Sequence, residues 1–203
     1  MKLKRKGVFF VISSPSGGGK TTLRNVVLEK FTDIKYSVSY TTRDKRQAEE
    51  DKKDYFFISK EDFNKKIKNN EFLEYANVHS NMYGTGSHIL NDIENGIDVL
   101  LDIDVQGGSS IKKKYKDAVL IFILPQAWGI LEARLKARKT DSDNVINNRL
   151  NIAKKEIEHF NQYDYFLLND TVSNMLKAFE HIFFTEKNRI SRMEVDWDDF
   201  YSA

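Results

Sequence analysis

Residues 12–23 read I-S-S-P-S-G-G-G-K-T-T-L, in which three consecutive glycines precede a lysine and two threonines. Segment 7–13 contains the apolar run V-F-F-V-I, which predicts a strand buried on both faces of a parallel sheet. After the glycines, apolar residues recur at helical spacing at Leu23, Val26, Val27 and Phe31. The glycines therefore lie between a buried strand and the start of a helix.

This context is typical of a loop that binds phosphate. Backbone N–H groups in a glycine-rich loop can converge on an anion, and the following helix adds its positive N-terminal end. Lys20 would reach the terminal phosphates of a nucleotide, and the hydroxyl of Thr21 would help to hold Mg²⁺. The usual pattern, G-x-x-x-x-G-K-[ST], begins with glycine, whereas this chain has Ser14. Taken alone, the stretch could also be a glycine-rich turn.

Strands alternate with helices along most of the chain. Further buried strands are predicted at 99–103, 119–124 and 165–168, and helices at 126–138, 144–159 and 172–190. This alternation favours an α/β fold with a mainly parallel sheet. Segment 37–86 is more polar, with short strand-like pieces at 55–58 and 72–78. Between them Ser59 is predicted to cap a short helix that ends near residue 70.

Composition narrows the class of protein. The 203 residues fit one domain, and a net charge of +2 gives little support to nucleic-acid binding. The chain contains no cysteine, which excludes disulfides and thiolate chemistry. The apolar run near the N-terminus is too short for a signal peptide, and no stretch reaches the ~18 apolar residues of a membrane span. We therefore expect a soluble, cytoplasmic protein.

A series of motifs in order over almost the whole chain resembles the guanylate kinase family. The loop is similar to the family's P-S-G-x-G-K-[ST], and S-V-S-Y-T-T-R-D-K-R-Q-A-E-E-D-K-K-D-Y-F-F at 37–57 is similar to S-V-S-x-T-T-R-x-P-R-x-G-E-x-x-G-x-D-Y-x-F. The later motifs are F-L-E-Y-A from Phe72, Y-G-T from Tyr83, L-D-I-D-V-Q-G from Leu101, R-L-K-A-R-K-T from Arg134, N-N-R-L from Asn147 and L-N-D from Leu168. The arginine-rich segment together with D-I-D-x-Q-G is specific to this family and its close relatives.

The resemblance implies a nucleoside monophosphate kinase that transfers the ATP γ-phosphoryl group to GMP, with Mg²⁺ as cofactor, in purine nucleotide metabolism. It implies an α/β P-loop kinase fold with a parallel sheet of about five strands flanked by helices. The expected core comprises residues 1–36, 87–137 and 150–203, with a mixed α+β GMP-binding insertion at 37–86 and a lid at 138–149. The partners expected are ATP and GMP, without nucleic acid, membrane or an obligatory protein partner.

The acceptor side must recognise a dianionic phosphate and a guanine base. Guanidinium groups bind phosphate oxygens bidentately, and phenols can add donors. The resemblance accordingly assigns the GMP phosphate to Arg43, Arg46, Tyr55 and Tyr83. It assigns Glu74 to the N1–H and N2–H₂ donors of guanine, which would select against adenine. Further contacts to the base or its surroundings are implied for Ser37, Thr85 and Asp104.

Phosphoryl transfer requires two anions to be aligned and their charge neutralised, with little covalent chemistry by the enzyme. The resemblance makes four residues catalytic: Lys20, Arg43, Arg138 and Arg149. On the donor side it implies that ATP contacts Ser14, Pro15, Ser16, Gly17, Gly18, Gly19, Lys20, Thr21, Thr22, Arg134 and Asn169. Asp102, at the end of a predicted buried strand, is expected to order Mg²⁺ together with Thr21, directly or through water.

Two other classes fit parts of the pattern. Another monophosphate kinase would act on AMP, UMP or dTMP, but Glu74 and the segment T-T-R-D-K-R argue against it. A guanylate-kinase-like module that binds phosphorylated protein segments without activity would have a degraded phosphate loop, whereas Gly19, Lys20 and Thr21 are intact.

Several residues replace a proline or glycine that the family favours: Lys45, Ala48, Lys52, Gln126 and Lys139. Those in the arginine-rich segment could change its shape and the affinity for GMP.

Overall fold

The computed structural model describes residues 3–47, 49–78, 80–137 and 143–202. In chain order the strands are β1 Leu3–Arg5, β2 Phe9–Ser13, β3 Ile34–Tyr36, β4 Tyr40–Thr41, β5 Phe56–Phe57, β6 Phe72–Val78, β7 Asn81–Gly86, β8 Asp98–Asp102, β9 Val119–Pro125, β10 Tyr165–Asn169 and β11 Met193–Val195. The α-helices are α1 Lys20–Lys30, α2 Lys60–Lys68, α3 Leu90–Glu94, α4 Val105–Lys114, α5 Trp128–Lys136, α6 Asp143–Glu158, α7 Val172–Lys187 and α8 Trp197–Tyr201.

The main sheet has five strands in the order β10-β9-β2-β8-β3, and every neighbouring pair is parallel. Side chains alternate between its faces. On β2, Phe10 and Ile12 join one apolar cluster with residues of α1 and α7, whereas Phe9 and Val11 join a second cluster with residues of α3 and α4. Helices thus cover both faces, which confirms the predicted α/β fold with about five parallel strands.

A second, smaller sheet lies within segment 37–86. Its strand order is β5-β4-β7-β6, and β6 pairs antiparallel with β7. The predicted helix cap is present, because the Ser59 hydroxyl accepts a hydrogen bond from the Asp62 N–H at 3.0 Å. Phe63 of α2 is fully buried and stacks on Phe72 of β6, with ring centroids 4.5 Å apart. The second sheet and α2 therefore share a small apolar core of their own.

A partly buried ion pair holds the end of the main sheet at which its parallel strands begin. Asp98, at the start of β8, is fully buried and accepts hydrogen bonds from Arg5 Nη1 at 2.7 Å and Nη2 at 2.9 Å. The Val8 N–H donates to the same carboxylate at 2.9 Å. Arg5 ends β1, which pairs antiparallel with β11 and so joins the two ends of the chain. Among the described residues, no helix is long and apolar enough to span a membrane.

Candidate functional site

A cavity of about 1020 Å³ lies at the carboxyl ends of the parallel strands, where α/β sheets commonly bind ligands. One wall is the glycine loop between β2 and α1. A second wall comes from the smaller sheet and the segment before it, and a third from α5 and α6. The predicted site residues that line the cavity are Ser14, Pro15, Ser16, Gly17, Gly19, Lys20, Thr21, Thr22, Arg43, Arg46, Tyr55, Glu74, Tyr83, Asp102, Asp104, Arg134, Arg149 and Asn169.

The glycine loop adopts a backbone that requires glycine at two positions. Gly17 has φ +84° and Gly19 has φ +112°, both in the left-handed region that other residues rarely occupy. Lys20 follows Gly19 directly as the first residue of α1. Ser14 is not among the described non-glycine residues with positive φ, so its backbone does not demand the glycine of the usual pattern.

Asn169 and Arg134 hold the loop from neighbouring elements. Asn169 is buried at the end of β10, and its Nδ2 donates to the carbonyl oxygen of Gly18 at 2.8 Å. A Cβ on Gly19 would lie 2.1 Å from that Nδ2. Arg134 of α5 reaches the carbonyl oxygen of Gly17, with Nη1 at 3.5 Å. Both predicted ATP ligands therefore contact the backbone of the loop.

The candidate metal site combines Thr21 and Asp102, which line the same cavity. Asp102 ends β8, and burial raises the pKa of its carboxyl, while the positive charges of Lys20 and Arg24 oppose that rise. Hydroxyl and carboxylate oxygens are the donors that Mg²⁺ prefers. These residues therefore fit the ion. The described residues contain no group of three or more His, Asp or Glu side chains that could hold a metal by themselves.

The arginine-rich segment forms a second cluster on the opposite wall. Arg43 Nη2 donates to Glu49 Oε1 at 2.7 Å, and the Arg46 N–H donates to Glu49 Oε2 at 2.9 Å. The guanidinium of Arg43 lies 5.6 Å from the ring centroid of Tyr55, which in turn packs edge-on against Tyr83 at 5.9 Å. The four predicted GMP-phosphate residues are thus brought together, and Glu49 orients the Arg43 guanidinium and holds the backbone at Arg46.

Three departures from the family pattern fall in this segment, at Lys45, Ala48 and Lys52. Lys52, where the family tends to have glycine, has φ +65°, so the left-handed backbone is kept by a residue that adopts it less readily. Its N–H donates to the Tyr55 carbonyl oxygen at 2.8 Å. Ala48 lies outside the described residues. The effect of these substitutions on GMP affinity stays a prediction.

Glu74 is the buried acid of the site, with only 5% of the residue exposed. It lies on β6 directly across from Thr85 on β7, and the Thr85 hydroxyl donates to Glu74 Oε1 at 2.6 Å. Burial raises the pKa of Glu74 to about 7, the charge of Asp104 adds to the rise, and the hydrogen bond from Thr85 opposes it. Asp104 itself caps α4, accepting a hydrogen bond from the Gly107 N–H at 2.9 Å.

Three of the predicted ligands do not line the cavity in the described part of the chain: Gly18, Ser37 and Thr85. Thr85 is fully buried behind Glu74 and touches the site through that carboxylate. The Ser37 hydroxyl is buried without a hydrogen-bond partner, and Ser39 lines the cavity nearby. Ser37 and Thr85 therefore lie one layer behind the surface that a ligand would meet.

The helix α6 supplies the third wall. Arg149 lines the cavity as predicted, and so does Glu156, whose Oε2 accepts a hydrogen bond from the Ser16 N–H at 3.2 Å. Arg138 and the other residues of 138–142 lie outside the described part of the chain. Sequence reasoning missed Glu49, although the quoted family pattern has a glutamate at that position, and it missed Glu156, which lies in none of the quoted motifs. Glu156 could have been found from its spacing, because it follows Arg149 by seven residues and therefore lies on the same face of the predicted helix.

The sequence and the fold of this chain are similar to those of known proteins. A family model described as guanylate kinase matches residues 6–186. The guanylate kinase of Geobacter metallireducens is 42% identical over 192 residues, covering 94% of this chain and 95% of that protein. That of Thermotoga maritima is 42% identical over 188 residues, covering 92% and 91%. The crystal structure of guanylate kinase from Anaplasma phagocytophilum superposes with a TM-score of 0.82 at 33% identity, covering 97% of this chain and 94% of that chain. The chain therefore belongs to the guanylate kinase family.

Proposed function

We propose that this chain transfers the γ-phosphoryl group of ATP to GMP in the cavity described above, forming ADP and GDP. One observation carries the proposal. The same cavity is lined by a phosphate loop with Lys20 at a helix start and, across from it, by an arginine and tyrosine cluster beside the buried Glu74. A donor triphosphate and an acceptor monophosphate could therefore face each other there.

We propose the cytoplasm as the place of action, since a chain without cysteine suits a reducing compartment.

On the donor side, we assign the ATP phosphates to the loop 14–22 and to Lys20. The backbone N–H groups of this loop and the N-terminus of α1 both attract negative charge. Arg134 and Asn169 keep the loop in shape through their hydrogen bonds to Gly17 and Gly18. We assign Mg²⁺ to Thr21 and Asp102. When bound, the ion would neutralise negative charge on the phosphates of the nucleotide.

On the acceptor side, we assign the GMP phosphate to Arg43, Arg46, Tyr55 and Tyr83. Glu49 fixes the direction of Arg43 before substrate arrives, so less side-chain entropy is lost on binding. We assign the guanine N1–H and N2–H₂ to Glu74. Thr85 donates a hydrogen bond to that carboxylate, Asp104 raises its pKa, and the buried Ser37 lies outside the cavity lining.

The transfer step relies on alignment and charge. Lys20, Arg43 and Arg149 line one cavity, so their positive charges can offset the charge that spreads over the transferred phosphoryl group. Arg138 belongs to the same proposal on the strength of the family motif alone.

The test is ADP formation from ATP and Mg²⁺ with GMP, AMP, UMP or dTMP offered separately. We expect turnover with GMP, little with the other acceptors, and a loss of at least 100-fold in kcat for Lys20→Ala. Lys113→Ala, at an exposed lysine of α4, is the matched control and should keep native activity. Preference for another acceptor would contradict the role of Glu74. A folded protein that binds GMP without turnover would favour a phosphopeptide-binding module instead.

A further inference from the structure

Glu156 joins the helix α6 to the phosphate loop. Its Oε2 accepts the hydrogen bond from the Ser16 N–H at 3.2 Å, and its side chain lines the cavity. The carboxyl is partly buried, which raises its pKa, while the charge of Lys20 and the Ser16 N–H favour the ionised form. A carboxylate held at this position has a partner on the loop and a nearby positive charge. It is therefore not a solvated surface group.

Arg149 and Glu156 share one face of α6. They are seven residues apart, which is close to two full turns of an α-helix, or about 10 Å along its axis. Both line the cavity. A contact that fixes Glu156 on the loop therefore also fixes how far Arg149 reaches over the phosphates.

The helices α5 and α6 pack against each other, and α5 also contacts β9 of the main sheet. Their contact has its own small apolar cluster, which consists of Leu131, Leu135, Ile146 and Ala153 with Leu150 packed against it. Polar contacts link this pair of helices to adjacent residues of the loop. Arg134 of α5 reaches the Gly17 carbonyl oxygen, and Glu156 of α6 binds the Ser16 N–H. The orientation of α6 relative to the loop depends on such contacts.

We propose that Glu156 is a positioning residue, which ties α6 to the phosphate loop and thereby directs Arg149 at the phosphates during transfer. This inference rests on the proposed function, because it concerns the same site and the same reaction. Glu156 would touch neither nucleotide in this role. Its effect on the rate passes through Arg149.

The test is a double-mutant cycle on the full chain. Glu156→Ala and Glu156→Gln are each made in the native chain, and Glu156→Ala is also made in an Arg149→Ala background. Glu158→Ala is the matched control, since Glu158 is an exposed carboxylate on the same helix. kcat, the KM for GMP, the KM for ATP and the Tm are measured for every variant.

We expect Glu156→Ala to lower kcat roughly 10- to 100-fold, because misplacing a catalytic group by about 1 Å can cost that much. The KM for GMP should change less than about threefold. Glu156→Gln should recover most of the rate, since its amide oxygen can still accept the Ser16 N–H. In the Arg149→Ala background the further loss should be less than about threefold, as expected for residues that act together.

A native kcat in Glu156→Ala would overturn the inference, whatever its Tm. Losses that multiply in the double variant would also overturn it, because Glu156 would then act independently of Arg149. Glu156→Gln as slow as Glu156→Ala would show that the charge matters and not the hydrogen bond to the loop. An inactive native chain would overturn the proposed function and this inference with it.

Discussion

At the scale of single residues, the binding role proposed for Glu74 conflicts with the stability of the fold. A buried carboxylate prefers to be protonated, and burial raises the pKa of Glu74 to about 7. Because the pKa is raised in the folded state, this group favours folding at low pH, and that contribution is lost as pH rises towards 7. The proposed recognition of guanine needs the ionised form, which accepts two donors. Binding of GMP in this way would therefore require a state of Glu74 that the fold alone does not favour.

We predict that GMP binding weakens as pH falls through 7. Below its pKa, Glu74 carries a proton and loses acceptor capacity, so the Kd for GMP should rise about tenfold between pH 8 and pH 6. Calorimetric titration of GMP without ATP measures this directly. The GMP phosphate also titrates, with a pKa near 6. Glu74→Gln is the control that separates the two, because only the phosphate contribution should survive in it. Equal pH dependence in both proteins would contradict the prediction.

The role of a residue could be predicted from the sequence where the residue belongs to a known motif. The contacts that hold such a residue in place could not be predicted in this way. The sequence predicted Lys20, Arg43 and Glu74 as site residues, and the fold brings them to one cavity. Glu49 accepts a hydrogen bond from the Arg43 guanidinium, and Glu156 accepts one from the Ser16 N–H of the phosphate loop. The family pattern contains a glutamate at position 49 without indicating its partner, and Glu156 lies in no quoted motif. The role of such a carboxylate depends on which N–H or guanidinium the fold places beside it.

At the scale of elements, burial decided which strands could be predicted. The long apolar runs of β2, β8, β9 and β10 lie within about two residues of their predicted bounds. The fifth strand, β3, was missed because it is an edge strand of three residues with only Ile34 buried. The helix α4 was also missed. Gly107 and Gly108 weaken its helical propensity, yet both are buried in it.

The two glycines of α4 allow close packing that a larger residue would disturb. A Cβ on Gly107 would lie 3.0 Å from Glu74 Oε2 and 3.1 Å from Ile103 Cδ1. A Cβ on Gly108 would lie 2.9 Å from the Tyr163 hydroxyl. Tertiary contacts with Glu74 and Tyr163 therefore outweigh local helix propensity in α4.

We predict that Gly107→Ala raises the KM for GMP severalfold while changing stability by less than about 1 kcal/mol. Alanine improves helix propensity by roughly 0.5–1 kcal/mol, but its methyl group crowds the Glu74 carboxylate. Gly129→Ala is the matched control, since a Cβ built on Gly129 in α5 meets no described atom within 4 Å beyond its chain neighbours and the backbone of its own helix. That variant should be as stable as the native chain or more so, with an unchanged KM. A steady-state KM with a urea unfolding curve for each variant checks both claims. An unchanged KM in Gly107→Ala would contradict the prediction.

At the scale of the whole molecule, stability and chemistry are separated along the strands of the main sheet. The strand β8 carries Asp98 at its first residue and Asp102 at its last. Asp98 lies where the sheet is tied to the N-terminus through Arg5 and Val8. Asp102 lies at the cavity beside Lys20. One strand thus holds a structural aspartate at one end and a candidate metal-ordering aspartate at the other.

This separation leads to opposite expectations for two substitutions in the same strand. Asp98→Ala leaves the Arg5 guanidinium and the Val8 N–H without their acceptor, so the free energy of unfolding should fall by about 3 kcal/mol. The folded fraction should keep a native kcat at 20 °C. Asp102→Asn removes a carboxyl whose pKa burial raises, so the protein should be as stable as the native chain or more so. Its kcat should fall at least 100-fold, because the proposed ordering of Mg²⁺ needs the charge.

Urea unfolding and turnover of GMP at 20 °C distinguish the two ends of β8. Within each variant, the change in the free energy of unfolding is compared with the change in kcat. This comparison is informative because both variants alter an aspartate on the same strand. A large loss of kcat in folded Asp98→Ala would mean that the tie at the start of the sheet also sets the geometry of the cavity. A stable Asp102→Asn with native kcat would remove Asp102 from the proposed transfer site and leave Thr21 as its remaining candidate for holding the ion. The expected pattern, stability lost at one end and activity at the other, follows from placing the binding cavity where the parallel strands end.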